Sequence, residues 1–411
     1  MRGRVAAPSS KSYTIRGLMC AALAEGRSEL IYPLLADDTE AAVGVLEPLG
    51  VDIVRHEDIW HVVGGNLRTS SRSLDCHESA ATLRFMTAIA ATVPGECRLV
   101  ARQSLARRPL EPLISALRQI GVDCKHDVSN GVVTVVGGKL VGGVASLPGN
   151  ISSQYVSAIL LIAPLARQGM TVKLTTPLES KPYVEMTIEC LDKFGIAVTP
   201  SGDYRQFRIE NQKYRPAKYA VEGDWSSVSY LLALGAVAGD VEVSRLNPAS
   251  LQGDKVLLEF LRQMGATVTV ENDAIRVQKA RLKAIHVDLT DCIDLLPTVA
   301  VLAALADGTS ELVGIARARL KESDRVLSVK RELEKSGIQV SEERNRVVIV
   351  GGKPKGTAFD SHGDHRIAMA MSVLGAVCGD TVIDGAECVA KTYPEYWQIL
   401  TDLGGKVDIS V

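Results

Sequence analysis

The sequence predicts an α/β protein built from six repeats of about 70 residues, grouped as two domains of three. Two sets of glycines and one strand pattern carry that prediction. Apolar segments that end in glycine and run into a short strand-like stretch place Gly26, Gly95, Gly169, Gly239, Gly308 and Gly379 at intervals of 69 to 74 residues. A second set closes amphipathic runs such as LEPLGVDI and LRQMGATV. Its members, Gly50, Gly121, Gly195, Gly265, Gly337 and Gly404, keep step with the first. The stretches GVVTVVGG and NRVVIVGG alternate with the period of two expected of half-buried strands.

Each unit reads as helix, glycine, strand, loop, amphipathic helix, glycine, strand, hairpin, strand. The glycine after each helix is expected to supply a left-handed cap. The first helix of each unit has a polar head and a tail, such as VSAILLIAPLA, that is apolar almost all round, which predicts burial. The ends of the chain are uneven. RGRVAA is a strand fragment with no unit before it, and the last unit stops at GGKVDISV. The fragment is therefore expected to pair into the carboxy-terminal domain. Residues 9–219 become an inserted three-repeat domain, and residues 1–8 with 220–411 a discontinuous one, with crossovers near Pro8 and residue 220.

Composition excludes several function classes. Of 411 residues, 46% are apolar, enough for sizeable cores, and the net charge of −2 gives no bulk attraction to nucleic acid or membrane. Aromatics at 4% argue against a base-stacking surface. The eight cysteines are scattered without a CxxC pair, which predicts reduced thiols of a cytoplasmic protein and no metal site. The first residues, MRGRVAAPSSKS, lack the apolar stretch of a signal peptide. No run reaches the roughly 18 apolar residues of a membrane span.

The six polar heads are PSSKSYTIR, CHESAATLR, PGNISSQY, EGDWSSVSY, DLTDCIDLLP and SHGDHRIAM. Ser, Asn and Asp at helix starts satisfy free N–H groups by capping. The same heads also carry Lys11, Arg16, Arg84, His365 and Arg366, cations that oppose the positive end of the helix dipole. Helix starts with added cations suit a small, multiply charged anion. Loops after the first strand of a unit add Arg107 and Arg108, Ser180, Lys181 and Tyr183, and Lys391. RARLKESDR, residues 317–325, takes the same place. Read as a helix, it sets Lys321 and Arg325 on one face, where like charges repel unless an anion lies between them. The plainer reading is a solvated helix start in which Glu322 pairs with Arg325.

Taken together, PSSKSYTIR, ESAATLRF, RRPLEPL, GNISSQYVSAIL, SKPYVEMT, GDWSSVSYLLA, RLKESDR, GDHRIAMA and AKTYPEYW resemble, in order and nearly end to end, the EPSP synthase family of enolpyruvyl transferases. The first motif is similar to the archaeal-type version. The resemblance implies two inside-out α/β domains, each of three βαβαββ repeats, with the active site in the interdomain cleft. It implies transfer of the enolpyruvyl group of phosphoenolpyruvate to the 5-hydroxyl of shikimate 3-phosphate, with no cofactor or metal. A monomer acting on these two small molecules is expected, with no nucleic-acid or membrane partner.

Residue by residue, Lys11 matches the lysine that touches both substrates. Ser12, Arg16, Ser152, Ser153, Gln154, Ser180, Tyr183 and Lys321 match shikimate 3-phosphate contacts, with Gln154 near both ligands. Arg108, Arg325, Arg366 and Lys391 match the phosphoenolpyruvate clamp. Asp294 matches the proton acceptor, which also lies against the shikimate ester, and Glu322 the glutamate beside it. These types suit the chemistry: arginine captures carboxylate and phosphate in pairs of hydrogen bonds, lysine acts as a point charge, and carboxylates move protons. Taken alone, Asp294 also reads as a helix cap, and Glu322 as an ion-pair partner.

Four positions depart from the family pattern. The second head reads HESAA, with His77, Ala80 and Ala81. Arg317 stands where a smaller polar residue is usual. A sibling family acting on UDP-N-acetylglucosamine usually shows a Lys–Asn pair in the first head and a reactive residue near Arg107–Arg108. Here the head is Lys–Ser, and Cys97 and Cys124 lie outside that loop. A non-catalytic repeat scaffold that binds anions or RNA is disfavoured by the charge balance and by Asp294 and Glu322. Ala80 replaces a glycine whose backbone approaches phosphoenolpyruvate, so its methyl is expected to crowd the place that the inhibitor glyphosate takes. Glyphosate should bind more weakly than to glycine-bearing relatives, and a low-micromolar inhibition constant would overturn this.

Overall fold

Strand pairing in the computed structural model, which describes residues 1–410 apart from the side chain of Gln103, follows one rule in five of its six sheets. The chain divides into two units, Ser9–Glu222 and Met1–Pro8 with Gly223–Val411. In Ser9–Glu222 there are three four-stranded sheets. Their orders are Lys218–Ala220, Gly26–Ile31, Ile59–Gly64, Asp52–Arg55; then Leu74–Asp75, Gly95–Val100, Val132–Gly137, Asp123–Asp127; then Gly143–Leu147, Met170–Leu174, Gln206–Ile209, Thr199–Pro200. In each, the first pair is parallel and the other two are antiparallel. A parallel pair needs a crossover, and a helix makes it in the second and third sheets. The first sheet is completed instead by Lys218–Ala220, from the far end of the unit.

The other unit repeats the pattern. Arg2–Ala6 pairs in parallel with Asp240–Ser244, in register from Arg2 opposite Asp240 to Ala6 opposite Ser244. Ala274–Gln278 and Thr267–Glu271 complete that sheet. The next holds His286–Asp288, Thr309–Val313, Arg346–Val350 and Gln339–Glu343. The last keeps only the parallel pair Ala358–Asp360 and Val382–Asp384 among the described residues. Backbone bonds lock each chain passage within its own unit: Asp224 N–H to the Pro8 carbonyl, 2.8 Å, and Ser10 N–H to the Glu222 carbonyl, 2.8 Å.

Six helices start with the polar heads: α1 (Lys11–Leu23), α2 (Ala80–Ile89), α3 (Ser153–Ile162), α4 (Trp225–Ala238), α5 (Leu296–Ala304) and α6 (His365–Cys378). They are buried nearly all round, as their apolar tails require. Each unit has its own hydrophobic core. In one, α2 packs on α3; in the other, α4, α5 and α6 pack on one another. The sheets lie outside, with strands such as Arg346–Val350 buried on alternate residues. This is the α/β fold class of inside-out repeats that the sequence predicts.

Local detail corrects two expectations. The second set of glycines does sit in the left-handed region, with φ between 79° and 95°. The first set does not supply helix caps uniformly: Gly26 and Gly95 open strands, and Gly239 is extended at φ 180°. RARLKESDR is not one helix. Ala316–Leu320 is a short 3-10 turn, Lys321 is extended, and the helix begins at Arg325 with Asp324 as its cap.

The double glycines that end the hairpin strands have a packing reason. A Cβ at Gly64 would lie 2.3 Å from the Ala21 carbonyl oxygen, at Gly137 2.1 Å from that of Ala90, and at Gly351 1.7 Å from that of Ala306. In three repeats the strand end is thus pressed on the end of the buried helix. Gly351→Ala is expected to destabilise by about 1–3 kcal/mol or more, since backbone carbonyls cannot step aside as side chains do. Thermal unfolding that matches the parent would overturn this.

Candidate active site

In the carboxy-terminal unit the polar residues converge on Arg325, which is 1% exposed. Its Nη1 donates to Asp294 Oδ1 at 2.7 Å, its Nη2 to Glu322 Oε2 at 2.6 Å, and its Nε to Asp364 Oδ2 at 2.7 Å. A second bond, Nη2 to Asp364 Oδ1, is 3.2 Å. Lys321 Nζ donates to the same Asp294 Oδ1 at 3.0 Å. An anion does lie between Lys321 and Arg325, and it is the carboxylate of Asp294. The pairing of Glu322 with Arg325 is present as well. Arg366 reaches the other oxygen, Oδ2, at 3.6 Å.

The local chain explains these positions. Asp294 lies in a 3-10 turn, Ile293–Leu295, just ahead of α5, and its carboxylate faces the cations. Asp364 caps α6, accepting from Arg366 N–H at 3.0 Å, while it holds Arg325. Arg319 bonds Asp324 and Glu342 and the Glu343 carbonyl, which fixes the turn that carries Lys321. Arg317 is buried and donates to the Thr290 carbonyl at 2.5 Å. His365 is buried at the start of α6. Lys391 is buried at the end of the 3-10 turn Ala386–Lys391 and makes no ion pair among the described residues.

Burial and charge compete across this cluster. For Asp294, burial would raise the pKa, but Arg366, Lys321 and Arg325 together hold it well below the usual carboxylate range. For Lys321, burial dominates and brings the ammonium down to about 8, against the pull of Asp294. Asp254, hydrogen-bonded by Ser226, is pushed up to about 6 by burial and by the charge of Asp294.

In the amino-terminal unit the counterpart is Arg16 on α1. It is 2% exposed and donates only to neutral acceptors: Thr187 Oγ1 at 2.8 Å, the Ser12 carbonyl at 3.0 Å and the Tyr183 carbonyl at 3.0 Å. Its guanidinium lies over the Phe85 ring, 5.3 Å from the centroid. Burial pulls its pKa down. Among the described residues no carboxylate pairs with it. Lys11, by contrast, pairs with Asp38 at 2.8 Å. Arg84 donates to Gln154 Oε1 at 2.6 Å and to Ser152 Oγ at 3.4 Å, with its guanidinium 5.1 Å from the Tyr155 ring.

Ser152 caps α3, Ser153 is buried, and Ser180 is buried at φ 53°, ahead of the helix that carries Tyr183 and Thr187. Ala80 is the first residue of α2 and is buried. Arg108 is half-buried and Arg107 exposed. Within this unit Arg16 joins Ser12, Tyr183 and Thr187, and Arg84 joins Ser152 and Gln154. Within the other, Asp294, Lys321, Glu322, Arg325 and Arg366 come together. Sequence reasoning missed Asp364 and Asp38, because an acid beside a helix start looks like an ordinary cap. It missed Thr187, which lies inside the quoted SKPYVEMT motif.

A family model described as EPSP synthase (3-phosphoshikimate 1-carboxyvinyltransferase) matches residues 1–400. The chain belongs to the EPSP synthase family. A 3-phosphoshikimate 1-carboxyvinyltransferase of Dehalococcoides mccartyi is 50% identical over 408 residues, which cover 98% of this chain and 96% of that protein. One from Methanocaldococcus jannaschii is 36% identical, covering 100% and 97%. A solved EPSP synthase from Acinetobacter baumannii matches with a TM-score of 0.83 at 26% identity, covering 100% of this chain and 97% of that one. Among the described residues no His, Cys, Asp and Glu group could hold a metal ion, and no helix is long and apolar enough to cross a membrane.

Proposed function

We propose that the two clusters divide the work of the family reaction as follows. As an EPSP synthase family member, the chain joins phosphoenolpyruvate to the 5-hydroxyl of shikimate 3-phosphate and releases phosphate. Arg16, Ser12, Ser152, Ser153, Ser180 and Tyr183 bind the shikimate ester. A buried guanidinium with only neutral acceptors suits a phosphate, whose oxygens accept bidentate bonds. Lys321 binds the same ligand. Lys11 and Gln154 face both substrates. Arg108, Arg325, Arg366, Lys391 and the start of α2 at Ala80 take phosphoenolpyruvate.

The observation that carries the catalytic assignment is one buried carboxylate, Asp294, shared by Lys321, Arg325 and Arg366. In the proposed sequence Asp294 accepts the proton of the 5-hydroxyl as its oxygen bonds to C2 of phosphoenolpyruvate. C3 gains a proton, with Lys11 and Glu322 as shuttles. The tetrahedral adduct then expels phosphate and loses a C3 proton. Cations already held in place stabilise the adduct without rearranging.

Mixing the protein with shikimate 3-phosphate and phosphoenolpyruvate should release phosphate, and UDP-N-acetylglucosamine as acceptor should not. Asp294→Asn is expected to lower kcat about 100- to 10,000-fold, the usual worth of a positioned base. Release with the UDP sugar alone would reverse the assignment.

A pH series tests Lys321 separately. With its pKa near 8 in the free protein, the charge is present below that value and lost above it. The KM for shikimate 3-phosphate should be flat at neutral pH and climb above about pH 8, by at most about tenfold per unit. Lys321→Arg keeps its charge through this range and should flatten the climb. An equally steep rise in both proteins would remove Lys321 from the binding role.

A further inference from the structure

Glu332 is a carboxylate with no exposed surface, one face of helix Arg325–Lys335 below Arg325. Residues seven apart lie two turns apart on the same face, so Glu332 stands under Arg325. Both of its oxygens are hydrogen-bonded. Oε1 bonds the His362 ring Nε2 at 2.7 Å. Oε2 accepts from Lys335 Nζ at 2.7 Å and from the Asp360 N–H at 3.0 Å. His362 belongs to the four-residue turn Ser361–Asp364, which leads into α6.

That turn is tight. His362 takes φ 53° and Gly363 φ 65°, two left-handed residues in a row, and for a histidine such a backbone is uncommon and needs support from its surroundings. His362 N–H donates to Asp360 Oδ1 at 2.7 Å, and Asp364 N–H to the Ser361 carbonyl at 2.9 Å. The turn is thereby tied to one helix at two levels: Asp364 on Arg325 above, His362 and the Asp360 N–H on Glu332 below. Asp364 in turn caps α6, so the turn sets where His365 and Arg366 begin.

We propose that His362, through its hydrogen bond to buried Glu332, is a positioning residue for phosphoenolpyruvate capture: it fixes the turn that places Asp364 and Arg366. The inference rests on the assignment of Arg366 to phosphoenolpyruvate. His362 touches neither substrate. It acts through the turn, and small displacements of a charged clamp are costly in rate and affinity.

Three variants of the full chain test it, with KM for each substrate, kcat and thermal unfolding read in parallel. His362→Leu keeps the bulk and removes the ring nitrogens. It is expected to raise the KM for phosphoenolpyruvate about tenfold, while that for shikimate 3-phosphate stays within about twofold. His362→Gln, which can still donate to Glu332, should recover most of the loss. Arg366→Gln reports on the underlying assignment and should raise the phosphoenolpyruvate KM at least as much. A raised KM in Arg366→Gln with a parental value in His362→Leu overturns the inference alone. A parental KM in Arg366→Gln overturns the assignment and the inference with it. Equal rises for both substrates, without recovery in His362→Gln, reduce His362 to a structural residue and also overturn it.

Discussion

The constraint on which the carboxy-terminal cluster depends is the burial of Arg325. A guanidinium taken out of water is tolerable only with acceptors on every side. Asp294, Glu322 and Asp364 supply them from three different parts of the chain. Arg325 also opens a helix, where a cation opposes the dipole. Three carboxylates more than offset that cost. The local sum of charge, with Lys321 and Arg366 added, stays close to balance. Removal of any one member leaves a buried charge without its partner, so the group is expected to behave as a unit.

The amino-terminal unit solves the same problem differently. Arg16 is as deeply buried but meets a hydroxyl, two carbonyls and an aromatic face. Its charge is solvated without being neutralised. Lys391 is buried as well and makes no ion pair among the described residues. Such cations retain a strong field for an incoming anion, and the donors need no rearrangement when it arrives. A compensated hub and uncompensated cations are therefore distinct devices. The hub holds geometry. Under the proposed assignment, the uncompensated cations supply the attraction for the substrate anions.

Much of this was legible in the sequence, for particular reasons. Gly50, Gly121 and their four counterparts mark helix ends because few other residues tolerate the left-handed backbone there. The tails of α1 to α6 announce burial because no face of them is polar. The strand fragment Arg2–Ala6 could be placed only because its repeat was missing a partner. Long-range pairing was not legible. Nothing near Lys321 or Arg325 announces that the anion between them is Asp294, 31 residues before Arg325. The break of RARLKESDR at Lys321 was equally hidden, since charged residues fit a helix, a 3-10 turn or an extended stretch. Asp364 and Asp38 disappear into the ordinary acidity of helix starts, and only contact geometry separates a cap from a counter-ion.

The hub also bears on how Asp294 can serve as the proposed base. A carboxylate held well below its usual range is a poor proton acceptor at neutral pH. The cations that depress it are the ones assigned to the substrates: Arg366 first, then Lys321, then Arg325. Bound phosphate and carboxylate groups would draw on the same cations and weaken their hold on Asp294, while burial, which raises its pKa, persists. Under that assignment the basicity of Asp294 increases when both anions are present, and in their absence the carboxylate stays tied to Lys321 and Arg325. The charge balance around Arg325 would then do two things in turn: hold the fold around a buried cation, and release the base when substrates take over its partners.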